Sequence, residues 1–246
     1  MQSLLSFFVI FTILTISHGF GHQSICSPTS RNIITKSTRL HMSSVFGNMF
    51  PGKNSGLCLH GSQQTRSPLV NWYLEEMKIP FTQKPARPSA HPFGQVPFLT
   101  DDGGVEVFES GAILLYLADA YGGNTTPQAR ASYTKWVVWA NSELDGLCFG
   151  KGMSGTQLDK PSKALDVLEK ILSNQEFLVN NQFSVADVAV ASYLNYVPVF
   201  FGNVRKLPNR PAIARYMVNC ANRPAFAKVI HTPFDLMSTH SDTLMT

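Results

Sequence analysis

Short apolar runs alternate with longer segments of helical period between Gly56 and Ile230, and the short runs are gathered at the N-terminal side. Gly56–His60 reads as a strand, and Ser67-Pro68 follows it. Ser suits a helix cap and Pro the first helical position. The pattern therefore predicts a helix from there, with Leu69, Val70, Trp72, Tyr73, Leu74 and Met77 on its apolar positions and Pro80 as its stop. Phe81–Lys84 reads as a short strand before a Pro-rich loop. Pro97–Leu99 and Val105–Phe108 read as strands joined by Asp101-Asp102-Gly103-Gly104, a hairpin signal. Ser110 is placed to cap a helix carrying Ile113, Leu114, Leu117 and Tyr121, which Gly122-Gly123 would stop.

That order predicts a small α/β domain, residues 54–122. Asn124–Pro127 reads as a linker, and every later periodic segment is helical: about Gln128–Phe149, Lys160–Asn174, Val185–Phe200 and Pro211–Asn222. Ser184 and Asp187 form a capping-box variant, and Phe183 and Val188 have the spacing of a hydrophobic staple. The fold class is therefore α/β plus all-α, with a helical bundle over residues 123–246.

Charge changes the picture mainly at the N-terminus. The formal net charge is +4, but residues 1–53 hold Arg31, Lys36, Arg39 and Lys53 and no acid. Beyond them 16 basic residues face 16 acidic ones, so no basic surface is left for counterion release on DNA or RNA. Leu4–Ile16 is an apolar run too short to span a bilayer comfortably, and Ser17-His18-Gly19 offers a small-residue cleavage site. Residues 1–19 thus read as a signal peptide, although no Lys or Arg precedes the apolar run. Residues 20–53, rich in Ser, Thr, Arg and Lys, read as a transit-peptide-like segment. The pair resembles the bipartite presequence of algae whose plastid has an extra membrane, with Phe20 heading the second part; the competing reading is a plain secretory signal and a disordered tail. Cys26 would leave with the presequence, and Cys58, Cys148 and Cys220 are too far apart for a zinc site or a dithiol centre. His60, His91 and His231 are scattered and form no metal constellation.

PFGQVPFLTDDGGVEVFESGAILLYLA followed by FSVADVAVASYL resembles the cytosolic-type glutathione S-transferases, and the likeness covers about Gly56 to Ile230. HGSQQTRSPLVNWYLEE is similar to the Ser-type enzymes of plants (phi-like) and of cyanobacteria. The resemblance implies a thioredoxin-like N-terminal domain, an all-helical C-terminal domain, and glutathione as co-substrate without a metal. It also implies a homodimer in which the α/β domain of one subunit meets the helical domain of the other.

Glutathione ends in a γ-glutamyl group with both an amine and a carboxylate. Ser110 at a helix N-terminus offers a hydroxyl, backbone N–H groups and the positive end of the dipole to that carboxylate, and Glu109 can pair with the ammonium. By resemblance Gln95 adds a side-chain contact, Val96 bonds the cysteinyl backbone like an added strand, and Pro97 is cis.

The nucleophile is the thiolate, so a hydroxyl donating to the sulfur favours the reactive form. Ser62 is the candidate, Thr65 the runner-up, and Arg66 an electrostatic aid. One departure from the family is large: only Thr82–Gly94 separate the first helix region from the Gln-Val-Pro loop. The helix that usually follows the second strand is then missing, and with it the contact to the glycyl end, for which Lys84 or Arg87 are possible substitutes. Trp136, Trp139 and Phe149 read as core and domain interface, with one face available to an electrophile.

Conjugation of glutathione to small electrophiles in detoxification or stress is the leading reading. The alternative is a non-enzymatic binding or assembly module, since a fold does not fix a function. Thiol reduction would call for Cys at Ser62, and a zeta-type isomerase for a Ser-Ser-Cys signature; neither is present.

Overall fold

The computed structural model describes residues 56–230 apart from 86–87, 124–125, 155 and 202–206. The presequence reading, Cys26, Arg87, Asn124, Thr125 and His231 lie outside the described residues. Four short strands, β1 (Cys58–His60), β2 (Thr82–Lys84), β3 (Phe98–Asp101) and β4 (Val105–Phe108), form one mixed sheet in the order β2-β1-β3-β4. β1 and β2 run parallel, and the other two pairings are antiparallel. The strands alternate sides as their period of two requires. Leu59 and Leu99, opposite each other in the ladder, are fully buried on the helix-covered face, while Cys58, His60, Phe98 and Phe108 share the other.

Helices α1 (Ser67–Met77) and α2 (Ser110–Tyr121) pack on the first face and on each other. Leu69, Val70, Trp72 and Leu74 are fully buried, whereas Met77, in the last turn, is 37% exposed and departs from the predicted stripe. Neither Ser67 nor Ser110 caps its helix. Ser67 lies inside α1 and is wedged under Gly61, where any Cβ would come within 1.6 Å of its Oγ. Thr65 Oγ1 instead accepts the Ser67 N–H at 3.1 Å. Glu109 takes the cap position of α2, and Ser110 begins the helix.

The helical part comprises α3 (Pro127–Trp139), α4 (Asp145–Phe149), α5 (Lys163–Leu172), α6 (Val185–Phe201), α7 (Pro211–Ala221) and α8 (Pro224–Val229). α3 and α4 correspond to the single predicted helix, but a π-helical turn at Ala140–Leu144 joins them. α8 was absent from the pattern. Pro224 opens it, and Phe226 reaches Trp72 edge-on with ring centroids 4.9 Å apart. The buried Asp187 carboxylate accepts from the Ser184 N–H at 2.9 Å, the reciprocal arm of the predicted capping box. Its other oxygen accepts from the Leu178 N–H and the Tyr216 hydroxyl.

One hydrophobic core runs through both parts. Arg223 closes the seam: its guanidinium donates twice to Glu76, at 2.7 and 2.8 Å, and lies 3.6 Å from the centroid of the Phe183 ring. Trp72 donates its indole N–H to the same carboxylate at 3.1 Å.

Between β2 and β3 no helix occurs among the described residues. His91 packs instead on Phe98 and Phe108, with centroids 5.6 and 5.0 Å away, and Phe93 lies over Phe108. The sheet face that the missing helix would cover is thus closed by a small aromatic cluster, from which Phe93 projects at 69% exposure.

Candidate functional site

A polar cleft of about 400 Å³ opens where the sheet meets the bundle. Four segments line it. Thr65 and Arg66 come from the turn before α1, and His91, Gln95, Val96 and Pro97 from the loop before β3. Glu109 and Ser110 come from the start of α2, and Asn141, Asp145 and Tyr193 from the bundle.

Local geometry places each group. The Val96–Pro97 peptide is cis, as anticipated, and Val96 stays clear of the β3 ladder, which begins at Phe98. Glu109 has φ 68° and ψ 122°, a conformation that L-residues avoid and that costs of order 1–3 kcal/mol. The exposed carboxylate is thereby fixed beside the cleft at the step from strand to helix. Behind it the first N–H groups of α2 are open, because the earliest intrahelical bond is from Ile113 N–H to the Glu109 carbonyl.

Arg66 crosses from the α/β part to the bundle and pairs with Asp145. Its guanidinium lies 5.5 Å from the centroid of Tyr193 and 5.7 Å from that of Phe149. Burial pulls its pKa down, but the hydrogen bond and charge of Asp145, aided by Tyr193, outweigh this and leave it raised, so the cation persists at any working pH. Burial also pushes the Tyr193 hydroxyl up against the opposing pull of Arg66, so Tyr193 stays protonated and donates to Asn141 Oδ1 at 3.0 Å. Ser110 Oγ donates to that same oxygen at 3.0 Å.

Of the residues anticipated from sequence, Thr65, Arg66, Gln95, Val96, Pro97, Glu109 and Ser110 meet in this cleft. Ser62 is half-buried and does not line it; its carbonyl accepts from the Thr65 hydroxyl at 2.7 Å. That bond commits the Thr65 proton, whereas the Ser62 hydroxyl has no partner among the described residues. Lys84 is exposed on β2, away from the lining. Trp136 and Trp139 line a separate apolar groove of about 530 Å³ between α3 and α5, with Val167 and Leu168 opposite. Phe149 turns the other way and packs with Phe200 and Phe201 beyond Arg66.

Sequence reasoning missed His91, Asn141, Asp145 and Tyr193. For two of them a signal existed: Asn141 and Asp145 are four residues apart, in register with the buried Val137 and Cys148. A polar pair on an otherwise apolar face marks a buried polar contact. Nothing in the local sequence announces His91 or the π-helical turn.

A thioredoxin-like sheet followed by a helical bundle, with a polar cleft at their junction, is the glutathione-transferase architecture. The chain matches the family model "Glutathione S-transferase, N-terminal domain" over residues 59–119 and "Glutathione S-transferase, C-terminal domain" over residues 151–224. It belongs to the glutathione S-transferase family. It is 31% identical over 163 residues to elongation factor 1-gamma of Danio rerio, spanning 60% of this chain and 36% of that protein. The chain thus covers only about a third of that longer relative. It is 27% identical over 210 residues to glutathione S-transferase 3 of Schizosaccharomyces pombe, covering 69% of this chain and 84% of that one. Among solved structures, a glutathione transferase of Burkholderia graminis with two glutathione molecules per subunit superposes with a TM-score of 0.58 at 25% identity, covering 72% of this chain and 88% of that one.

Proposed function

We propose that the chain binds glutathione in this cleft and joins it through its thiolate to small electrophiles. The observation that carries the reading is the convergence of an anion-binding helix N-terminus, an acidic residue held beside it, an unpaired stretch of backbone and a permanent cation on one cleft. The γ-glutamyl carboxylate is met by the open N–H groups of α2 and its ammonium by Glu109, with Gln95 beside them. The cysteinyl backbone lies along Val96 as an added strand. The thiol then points toward the turn before α1, where Arg66 lines the cleft and favours its ionised form; Ser62, with its uncommitted hydroxyl, precedes that turn and would have to reach the sulfur from outside the lining. The proton goes to solvent, the thiolate forms the new C–S bond, and the leaving group departs with its electron pair. Phe149 and the half-exposed Phe200, just past Arg66, offer an apolar wall for an aromatic acceptor.

Turnover of chlorodinitrobenzene with glutathione by the protein tests the reading. We expect saturable turnover that Arg66→Met lowers; absence of both turnover and glutathione retention would reject it. The second reading, a binding or assembly module, is favoured by the likeness to elongation factor 1-gamma and by the shortened loop before β3. Glutathione retained without turnover would support it.

We also propose a homodimer joining the α/β part of one copy to the bundle of another. Such a contact would cover the exposed Phe93 and the Trp136–Trp139 groove, and light scattering at micromolar concentration measures it. Delivery to a plastid is proposed from residues 1–53 alone; a fluorescent fusion of that segment found only in the medium would reject it.

A further inference from the structure

We propose that the chain carries a second small-molecule site, at the ends of α1 and α2 remote from the polar cleft. Its ligand is a neutral molecule with an apolar ring body and a carbonyl or ether oxygen that accepts from Tyr73. The inference does not depend on what the cleft binds. α1 begins beside the cleft, after Arg66, and α2 begins in it at Ser110. A pocket of about 310 Å³ opens at their other ends, between Met77 and Ala118 on one side and Tyr133, Phe183 and Arg223 on the other. The 11 residues of α1 span roughly 16 Å, so the two openings are separate.

Tyr73 carries the inference. It is 5% exposed and lines the pocket, yet its hydroxyl makes no hydrogen bond among the described residues. Its oxygen is not sealed in protein but stays open to the pocket. Buried polar groups are nearly always matched, and leaving one unmatched is costly. An unmatched hydroxyl at a pocket wall therefore marks where a ligand completes the bond. Burial, with Tyr133 adding to it, pushes the Tyr73 pKa up, so the phenol stays protonated and donates.

The rest of the lining sets the class of ligand. Its two charged side chains, Glu76 and Arg223, satisfy each other through bonds of 2.7 and 2.8 Å, and the Trp72 indole also donates to Glu76. A charged ligand would find no unpaired counter-ion and would lose its hydration on entry. The Arg223 guanidinium lies against the Phe183 ring, which with Met77 and Ala118 gives the pocket its apolar walls. The volume falls at the low end of the range of ligand pockets, which suits a body of about two fused rings.

Titrations of the protein followed by NMR of the ligand test this with three probes of one shape: 2-acetylnaphthalene (neutral, with a carbonyl), 2-naphthoate (anionic) and 2-ethylnaphthalene (no acceptor). The ketone should bind saturably and the naphthoate at least about tenfold more weakly. The ethyl compound should bind roughly three- to tenfold more weakly than the ketone, the worth of one net hydrogen bond. Tyr73→Phe removes only the unmatched hydroxyl, so the melting temperature should hold or rise. It should weaken the ketone by that same three- to tenfold factor and shift the ethyl compound less than about twofold. No binding of the ketone, a naphthoate that binds as tightly, or a Tyr73→Phe protein that treats both neutral probes as before would overturn the proposal. Displacement of the ketone by added glutathione would place it in the cleft and would overturn the proposal as well.

Discussion

The two ends of the cleft are built on opposite principles. At the α2 end, Glu109 is held in a costly backbone conformation, and Ser110, Asn141 and Tyr193 form a closed hydrogen-bonded set anchored in the bundle. At the other end no helix follows β2 among the described residues, and His91, Phe93, Phe98 and Phe108 close the sheet with ring contacts. The first end is specified by polar geometry and the second by apolar packing. On the proposed reading, affinity for a γ-glutamyl ligand is concentrated at the α2 end of the cleft.

The largest effect should come from Arg66. Arg66→Met removes the cation facing the bound thiol, and an opposite charge at short range holds a pKa down by about 1–3 units. The thiol pKa therefore rises. Turnover should fall at least tenfold at pH 6.5 and recover as the pH rises past the new thiol pKa, so a pH–rate profile checks both sign and size. A drop that is equal at every pH would mean that Arg66 acts only on structure.

Glu109→Gly comes next and separates binding from stability. Glutathione affinity should fall roughly ten-fold with loss of the ammonium's partner. Thermal stability should hold or rise, because glycine relieves a strain of order 1–3 kcal/mol at φ 68°. Parallel losses of affinity and melting temperature would show that the conformation is not strained.

The smallest effects should lie at the far end. Lys84→Ala, on an exposed strand outside the lining, should change glutathione affinity less than about threefold, as exposed charges contribute about 1 kcal/mol at most. A loss as large as that of Glu109→Gly would move the centre of recognition to the β2 side and break the contrast. Phe93→Ser should leave unfolding within about 0.5 kcal/mol, as surface changes do, while weakening self-association measured by sedimentation.

Much of this was legible in the chain because it is local. The hairpin around Asp101–Gly104, the apolar face of α1 and the Ser184–Asp187 box each depend on residues a few positions apart. The placement of Glu109 and Ser110 in the cleft was legible for the same reason, since they adjoin at a strand-to-helix step. The bonds that finish the site are not local. Arg66 meets Asp145 and Ser110 meets Asn141 across the seam between sheet and bundle; the spacing of Asn141 and Asp145 marks a buried polar contact but does not say which residue makes it. The failed caps have the same origin: the Ser67 hydroxyl is enclosed beneath Gly61, and that of Ser110 lies against Asn141 and Tyr193.

The central claim is that the cleft binds glutathione and ionises its thiol, and thiolate absorbance of the protein–glutathione complex across pH tests it directly. A free thiol titrates at about 8.5. The bound thiol should titrate at least about one unit lower, given the adjoining Arg66. Absorbance that follows free glutathione at every pH, with the protein in excess, would contradict the account.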